Sequence, residues 1–274
     1  MTHLHRFPSK ILLFGEHSLL YGGEGLAIPS YDYCGNWIQD HGNHHGTDLF
    51  ALAAYLKEHA HQFYNNIDVT SFLRDVDAGW TFHSSIPIGY GAGSSGAYSA
   101  AIYKRYSVEK DNDLEHIKSD LAVIESYFHG NSSGLDPLVS YSDSAFQIVD
   151  GIPHRKEIEP EMSALFSLKD TRIPRHGAPY ISLFKSKMEN KEFSNKIKTT
   201  LNPAVHNAIN AMLIADKDEL LKAFFEISYF QLVWMPEFIP LSWIRTWEQK
   251  LSESSGYYKL CGAGGGGFLL ECKL

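Results

Sequence analysis

The sequence predicts an α+β protein organised as two domains. Short apolar runs that are typical of buried strands occur beside segments whose apolar residues recur at helical spacing. Both halves of the chain contain elements of both kinds, which favours mixed sheets and helices in each half. Residues 151–165 are rich in proline and charge and lack this periodicity. We therefore expect one domain at residues 1–155 and a second at residues 156–274.

The first half is predicted to contain a strand followed by three helices. Residues 11–14 form a continuous apolar run, as expected for a buried strand. Residues 47–48 can cap a first helix, and a second helix is expected to begin at residues 94–95. A third should span residues 113–128 and end at Gly130, because its apolar residues follow spacings of three and four.

The second half is predicted to begin with strands and to continue with helices. Strands are expected at residues 165–168 and 180–184. Helices are expected near residues 203–214, 218–230 and 241–252. The chain then ends in two strands, at residues 257–261 and 268–272, which are joined by a loop of glycines.

Composition excludes several classes of function. The formal net charge of -8 argues against a nucleic-acid partner, since such proteins usually carry a basic face. The three cysteines form no CxxC pair, as expected for reduced thiols in a cytoplasmic protein. The N-terminus has no apolar signal segment, and no run approaches the ~20 apolar residues of a membrane span. We expect a soluble cytoplasmic protein with no membrane partner, and a homodimer is compatible with the sequence.

The loop Gly91-Ala92-Gly93-Ser94-Ser95-Gly96 is formally a GxGxxG motif. A dinucleotide site would need an apolar parallel strand before it, but residues 81–87 contain polar residues and a proline. No Gly-Lys-Ser/Thr follows, which excludes a Walker loop. Glycines let the backbone approach an anion, and the following helix directs free N–H groups at it. The loop therefore predicts a triphosphate site, with a glycine turn that only packs a helix as the alternative.

Further polar residues suit phosphoryl transfer to an alcohol. Lys10 begins the first strand, and Glu125 precedes Asp136 by 11 positions. Such chemistry needs one carboxylate for Mg²⁺ and one group that takes the hydroxyl proton. Each residue alone fits a solvated lysine, a surface carboxylate or a cap equally well. Residues 262–267 are denser in glycine than most turns require, which indicates a backbone surface facing the substrate or a flexible hairpin. The histidines at residues 41–45 favour a solvated loop over a metal site.

Four segments, in this order along the chain, resemble the motifs of the GHMP kinase family. They are residues 10–23, 87–96, 129–137 and 262–267. The first and third are most like the versions found in mevalonate kinases. The resemblance implies an N-terminal domain like ribosomal protein S5 domain 2 and a ferredoxin-like C-terminal domain. It also implies phosphorylation of a small-molecule alcohol, mevalonate, with ATP and Mg²⁺ as cofactors. A sugar kinase, a phosphomevalonate kinase and a non-catalytic nucleotide-binding relative remain as alternatives.

The resemblance also implies roles for individual residues. Asp136 corresponds to the catalytic base, and Lys10 to the lysine beside it. Ser95 and Glu125 correspond to the Mg²⁺ ligands. The ATP-binding residues are Pro87, Gly89, Gly91, Ala92, Gly93, Ser94, Ser95 and Gly96. The substrate side comprises Glu16, His17, Thr171, Gly262, Ala263 and Gly264. A weaker motif at residues 170–175 also resembles a family segment. The chain departs from the family pattern at Gly96, where alanine is usual, at Ala92, where leucine is usual, and at residues 175–177.

Overall fold

The computed structural model describes residues 5–40, 48–108, 112–175 and 177–274. These residues form two compact units. The first contains the chain up to Lys10, together with Pro29–Pro87 and Ala92–Ser144. The second contains Ile11–Ile28, Ile88–Gly91 and Ala145–Leu274. The single boundary expected at residue 155 stays a prediction. The histidine loop expected at residues 41–45 lies outside the described residues.

The first unit combines strands with five helices among its described residues. Strands β1 (Phe7–Phe14) and β2 (Gly25–Gln39) each contribute residues to both units. The other elements of the first unit are α1 (Leu49–Glu58), α2 (Val69–Asp77), β3 (Trp80–Ser84), α3 (Ser94–Tyr106), α4 (Leu114–His129) and α5 (Leu135–Ser142).

Strand β3 runs antiparallel to the second part of β2, with Gly35 opposite Ser84 and Gln39 opposite Trp80. A dinucleotide-binding loop follows a strand of a parallel sheet. Because the strand before the loop at residues 91–96 is antiparallel, the structure confirms that this loop is not part of a Rossmann unit.

Small residues allow helix α3 to pack closely in the first unit. Its residues from Gly96 to Tyr103 are all buried. Neighbouring helices present larger apolar side chains, including Leu121 of α4 and Leu138 of α5, both fully buried. Burying one such leucine stabilises the fold by about 1.5–3 kcal/mol. This packing holds the first turns of α3 and α5 near each other.

The second unit carries most of the remaining strands and helices. They are β4 (Ala145–Val149), β5 (Ile152–Lys156), α6 (Pro160–Ser163), β6 (Phe166–Asp170), α7 (Gly177–Met188), α8 (Lys191–Lys196), α9 (Asn202–Leu213), α10 (Lys217–Trp234), α11 (Leu241–Glu253), β7 (Tyr257–Leu260) and β8 (Phe268–Cys272). A π-helical segment, Ile197–Leu201, joins α8 to α9.

Two sheets contain these strands. One has the order β1-β2-β4-β5, with β3 also pairing with β2. The other has the order β6-β8-β7, and both of its pairings are antiparallel. Leu270 of β8 lies opposite Leu168 on one side and Lys259 on the other. The glycine loop therefore connects two strands that pair directly, as the sequence predicted.

One local prediction is wrong. Residues 180–184 were expected to form a strand but lie within α7. A short apolar run fits either element, and here Tyr180 and Phe184 are four residues apart, with Phe184 buried. The sequence also did not reveal β5, which lies within residues 151–165 and pairs with β4. Pro153 obscured this strand, because a proline argues against a central strand. It is tolerated here because β5 is the last strand in its sheet, at the edge.

Within the described residues, no helix has the length and hydropathy needed to cross a bilayer.

Candidate active site

Lys10 and Asp136 form an ion pair in the first unit, with 2.6 Å between Lys10 Nζ and Asp136 Oδ1. The lysine side chain is 9% exposed and the aspartate side chain 33%. Lys10 lies on β1, and its backbone N–H donates to the carbonyl of Ala92 at 3.0 Å. Asp136 lies in the first turn of α5. A strand, the glycine loop and a helix start thus meet at this ion pair.

Two glycines of the loop make this arrangement possible. Gly93 caps α3 with φ +74°, and a Cβ there would lie 3.3 Å from Lys10 Cβ. A Cβ on Gly96 would lie 2.9 Å from the backbone carbon of Asp136 and 2.9 Å from Pro137 N. Such contacts are too short, so alanine at this position would require α5 to shift. Gly96 thus departs from the family pattern for a physical reason.

Ser95 and Glu125 meet beside this ion pair. Ser95 Oγ donates to Glu125 Oε1 at 3.0 Å and lies 2.9 Å from His129 Nε2. The other carboxylate oxygen of Glu125 accepts a hydrogen bond from the Ser132 hydroxyl. The structure therefore brings together four of the predicted residues: Lys10, Ser95, Glu125 and Asp136.

Burial raises the pKa of Glu125, and the negative charge of Asp136 raises it further. Hydrogen bonds from Ser132 and Ser95 and the nearby His129 act in the opposite direction. A divalent cation would stabilise the charged form of a carboxylate in such surroundings. The environment of Glu125 is therefore suited to a metal ligand.

The donor set fits Mg²⁺ that is bound together with a nucleotide. Among the described residues, no group of three or more His, Cys, Asp or Glu side chains could hold a metal ion. Mg²⁺ usually keeps several waters and takes one or two protein carboxylates together with substrate phosphates. One hydroxyl and one carboxylate, from Ser95 and Glu125, meet that requirement.

The first turn of α3 is suited to a phosphate. Gly93 provides no side-chain cap, and the turn contains no acidic residue. The first N–H groups of a helix lack partners within the helix and carry the positive end of its dipole. Ser94 and Ser95, the first two residues of α3, lie at this end. An anion placed there would be bound by backbone N–H groups.

The remaining predicted ATP-binding residues are divided between the units. Pro87 and Ala92 belong to the first unit, whereas Gly89 and Gly91 belong to the second. The Gly89 carbonyl accepts a hydrogen bond from Arg175 N at 3.2 Å. The predicted ATP-binding segment is therefore continuous in sequence, although its residues are assigned to different units.

All of the residues predicted for the substrate side lie in the second unit. His17 is buried between the rings of Phe184 and Phe238, at centroid distances of 4.7 and 5.5 Å. Burial lowers the pKa of His17 to about 4, against the opposing effects of Glu16 and the Ala263 backbone. His17 is therefore uncharged at neutral pH, although neither ring nitrogen makes a well-formed hydrogen bond in the structure.

Thr171 is bound to the glycine loop itself. Its hydroxyl donates to the Gly267 carbonyl at 2.7 Å, and its backbone N–H donates to the same oxygen at 3.0 Å. Gly264 and Gly265 contact Phe238, and Gly265 N donates to the Phe238 carbonyl at 2.7 Å. These contacts fix the second part of the loop.

Sequence reasoning did not select Arg175, Ser132, His129 or Lys259. The Arg175 guanidinium lies against two glycine backbones: a Cβ on Gly91 would be 2.4 Å from its Cζ, and one on Gly262 would be 1.8 Å from an Nη atom. Arg175 lies in the weaker motif at residues 170–175, which could have identified it. No local pattern identified Lys259, because its partner is distant in the sequence.

No protein-family model matches the chain. A curated mevalonate kinase of Archaeoglobus fulgidus is 28% identical over 161 residues, which cover 56% of this chain and 53% of that protein. One of Pyrococcus abyssi is 31% identical over 159 residues, covering 48% of this chain and 47% of that protein. The chain spans about half the length of the curated relatives it matches.

Solved structures match almost the whole chain. Mevalonate kinase from Staphylococcus aureus MRSA252 matches with a TM-score of 0.60 and 19% identity, over 98% of this chain and 88% of that chain. The L. major mevalonate kinase in complex with R-mevalonate matches with a TM-score of 0.65 and 16% identity, over 99% and 87%. The chain has the GHMP kinase fold.

The same GHMP kinase fold occurs in the phosphomevalonate kinase of Streptococcus pneumoniae, which matches with a TM-score of 0.63 and 15% identity, over 99% of this chain and 92% of that chain. At these identities the structural likeness establishes the fold alone.

Proposed function

We propose that this chain is an ATP- and Mg²⁺-dependent kinase that phosphorylates mevalonate to 5-phosphomevalonate. The observation that carries the proposal is the Lys10–Asp136 ion pair, which lies beside the Ser95–Glu125 contact in the first unit. The sequence relatives are named mevalonate kinases, and the L. major structure contains R-mevalonate. A protein that only binds nucleotide would not need a carboxylate placed to accept a proton.

In the proposed reaction, Asp136 accepts the proton of the alcohol. The alcohol oxygen then forms a bond to the terminal phosphorus of ATP, the bond from that phosphorus to the bridging oxygen breaks, and ADP leaves. Lys10 holds the Asp136 carboxylate in one orientation and places a positive charge beside it. General-base assistance of this kind typically contributes about 10²–10⁴-fold to rate.

Ser95, Glu125 and the start of α3 would bind Mg·ATP. The helix N–H groups would receive phosphate oxygens, while the hydroxyl and the carboxylate would face the metal. When bound, Mg²⁺ neutralises charge on the phosphates as the phosphoryl group is transferred. The other ATP-motif residues are proposed to bring the loop backbone close to the nucleotide.

Several predictions from the resemblance remain proposals. Direct contact of the substrate with Glu16, His17, Thr171, Gly262, Ala263 and Gly264 is one of them. A cytoplasmic location, a homodimer and the absence of a nucleic-acid partner are others. Related kinases of the same fold act on other acceptors, so phosphomevalonate and sugars are the alternative substrates.

An ADP-release assay with Mg·ATP tests the proposal. Mevalonate, phosphomevalonate, galactose and homoserine are compared as acceptors, and mevalonate is expected to support the highest kcat/KM. A preference for galactose or phosphomevalonate would replace mevalonate by that acceptor. No release above background with any acceptor would favour a non-catalytic relative.

The variant Asp136→Asn tests the catalytic base in the same assay. We expect kcat to fall at least ~100-fold, while ADP affinity measured by calorimetry changes little. The matched control is Asp143→Asn, which alters the aspartate at the other end of α5. Near-normal turnover by Asp136→Asn would show that another group takes the proton.

A further inference from the structure

A buried ion pair joins the turn after β1 to strand β7 in the second unit. Lys259 Nζ lies 2.7 Å from Glu16 Oε1, and the two side chains are 1% and 4% exposed. Glu16 follows β1, whereas Lys259 lies on β7, three residues before the glycine loop begins at Gly262. The pair is separate from Lys10 and Asp136, which belong to the first unit.

Gln231 of α10 connects Glu16 to Leu260, the residue that follows Lys259. Its side-chain amide donates to Glu16 Oε1 at 3.3 Å, and its carbonyl oxygen accepts from Leu260 N at 2.8 Å. Lys259 Nζ also donates to the carbonyl of Leu260 at 2.6 Å. The backbone at the end of β7 is therefore bound on both its N–H and its C=O side.

A buried ion pair of this kind is weak evidence for stabilisation of the fold. Removing two charges from water is costly, and well-packed apolar residues of similar size often give an equally stable or more stable protein. Glu16 Oε2 and Ser18 Oγ are buried and have no hydrogen-bond partner within the described residues. A cavity of about 10 Å³ beside them, which Lys259 and Gln231 also line, has room for one water molecule. These buried polar groups therefore point to a role in fixing the local geometry.

The glycine loop needs external anchors, because glycine backbones are the least restricted in conformation. Thr171 anchors its end through Gly267, and Phe238 anchors its middle through Gly265. The end of β7, which leads into the loop, is held by the contacts of Lys259 and Leu260. We infer that Glu16, Lys259 and Gln231 form a positioning network that sets the conformation of residues 262–267. In this role Glu16 acts on the loop through Lys259.

The consequence for catalysis rests on the proposed function, in which the glycine loop contributes to ligand binding. The conformational claim can be tested separately. The double variant Glu16→Gln/Lys259→Met removes both charges while roughly keeping side-chain size. We expect its melting temperature to stay within a few degrees of wild type. Amide hydrogen exchange at residues 262–267 should be at least ~10-fold faster, because the entrance to the loop has lost its anchor.

In the kinase assay, the same double variant should show a KM for mevalonate or ATP at least ~10-fold higher than that of wild type. The control is Ser228→Ala, at a position one helical turn before Gln231 on α10. This change removes a buried hydrogen bond of 2.8 Å that Trp247 Nε1 donates to the Ser228 hydroxyl. This control should lower the melting temperature without changing loop exchange or KM.

If residues 262–267 of the double variant exchange their amide hydrogens at the wild-type rate, the inference is wrong, whatever the enzyme activity. Faster exchange with unchanged KM and kcat would overturn its catalytic consequence. If wild type phosphorylates none of the acceptors, the proposed function fails but the exchange experiment still decides the conformational claim. If the double variant does not fold, Gln231→Met replaces it. This change removes the hydrogen bond from Leu260 N and leaves the ion pair in place. Unchanged exchange at residues 262–267 in Gln231→Met would equally overturn the inference.

Discussion

Ser132 illustrates how a single hydroxyl can organise the proposed metal site. It donates to Glu125, and it accepts from the backbone N–H of Gly134 at 2.9 Å. Gly134 caps α5, which carries Asp136 in its first turn. The hydroxyl therefore links the proposed metal ligand to the start of the helix that holds the proposed base. This connection should restrict Glu125 to one rotamer before a ligand binds.

We predict that Ser132→Ala raises the Mg²⁺ concentration needed for tight nucleotide binding by about 10-fold. A hydrogen bond to a charged group contributes about 1.5–3 kcal/mol, and each 1.4 kcal/mol corresponds to a factor of ten. Calorimetric titration of ADP at increasing Mg²⁺ measures this midpoint. Ser132→Thr keeps a hydroxyl and should restore most of the affinity.

Ser133→Ala is the matched control, because the Ser133 hydroxyl accepts only a long contact of 3.4 Å from Leu135 N. Its Mg²⁺ midpoint should equal that of wild type. Equal midpoints for Ser132→Ala and wild type would contradict the positioning of Glu125 by Ser132.

At the scale of elements, Asp120 fixes the segment before α2 to helix α4. The carboxylate is fully buried and accepts hydrogen bonds from Tyr64 N at 2.7 Å and from Asn65 N at 2.9 Å. It also accepts from Asn65 Nδ2 at 3.0 Å and from Tyr103 of α3 at 3.3 Å. A buried charge is tolerated here because several donors replace its hydration. One residue thus holds two helices and a loop in register.

The substitution Asp120→Asn is expected to lower the free energy of unfolding by about 1–3 kcal/mol, since an amide leaves at least one buried donor unpaired. Urea denaturation followed by circular dichroism measures the change. Asp48→Asn is the control, because Asp48 caps α1 at an exposed position and asparagine caps helices equally well. A similar small change for both variants would contradict a special role for Asp120.

At the scale of the whole molecule, stability should depend on acidic pH through Glu271. Burial alone would raise the pKa of this carboxyl group, but hydrogen bonds from Lys169 and Lys250 outweigh it and hold the pKa below its ordinary value of 4.5. Lys169 Nζ lies 2.8 Å from Glu271 Oε2, and Lys250 contacts the other oxygen. Because the folded pKa is the lower one, the unfolded chain binds the proton more readily. The stabilisation is therefore complete above the unfolded pKa and is lost as pH falls through the folded pKa.

We predict that Glu271→Gln lowers the free energy of unfolding at pH 7 by roughly 2 kcal/mol, the scale of charge-assisted hydrogen bonds. The difference from wild type should shrink as pH is lowered through the acidic range. Urea unfolding at a series of pH values measures it. Glu248→Gln, which removes a charge at an exposed position of α11, should show little difference at any pH. A Glu271→Gln effect that persists unchanged in acid would contradict the ionic origin.

Local signals explain why much of the fold could be predicted. Helices α3, α4 and α10 were expected because their apolar periodicity and caps involve residues within a few positions of one another. The signal failed at residues 180–184, where five residues are too few to separate a strand from a helix. It also failed at β5, whose partner and edge position are not encoded in its own residues. Contacts between residues that are distant in the sequence therefore determined the structure of these segments, which the local pattern could not predict.

The site shows the same division. By itself, the sequence determined the type of chemistry: a glycine loop before a helix, a lysine at a strand start, and two carboxylates 11 positions apart are local features. The family resemblance implied that Lys10 lies beside Asp136, and the structure forms that ion pair. Only the tertiary structure decided that Ser132 binds Glu125 and that Glu16 pairs with Lys259 inside the second unit. The physical reason is that the partners are separated along the chain. Their contact depends on how strands and helices pack, and composition or spacing carries no information about that packing.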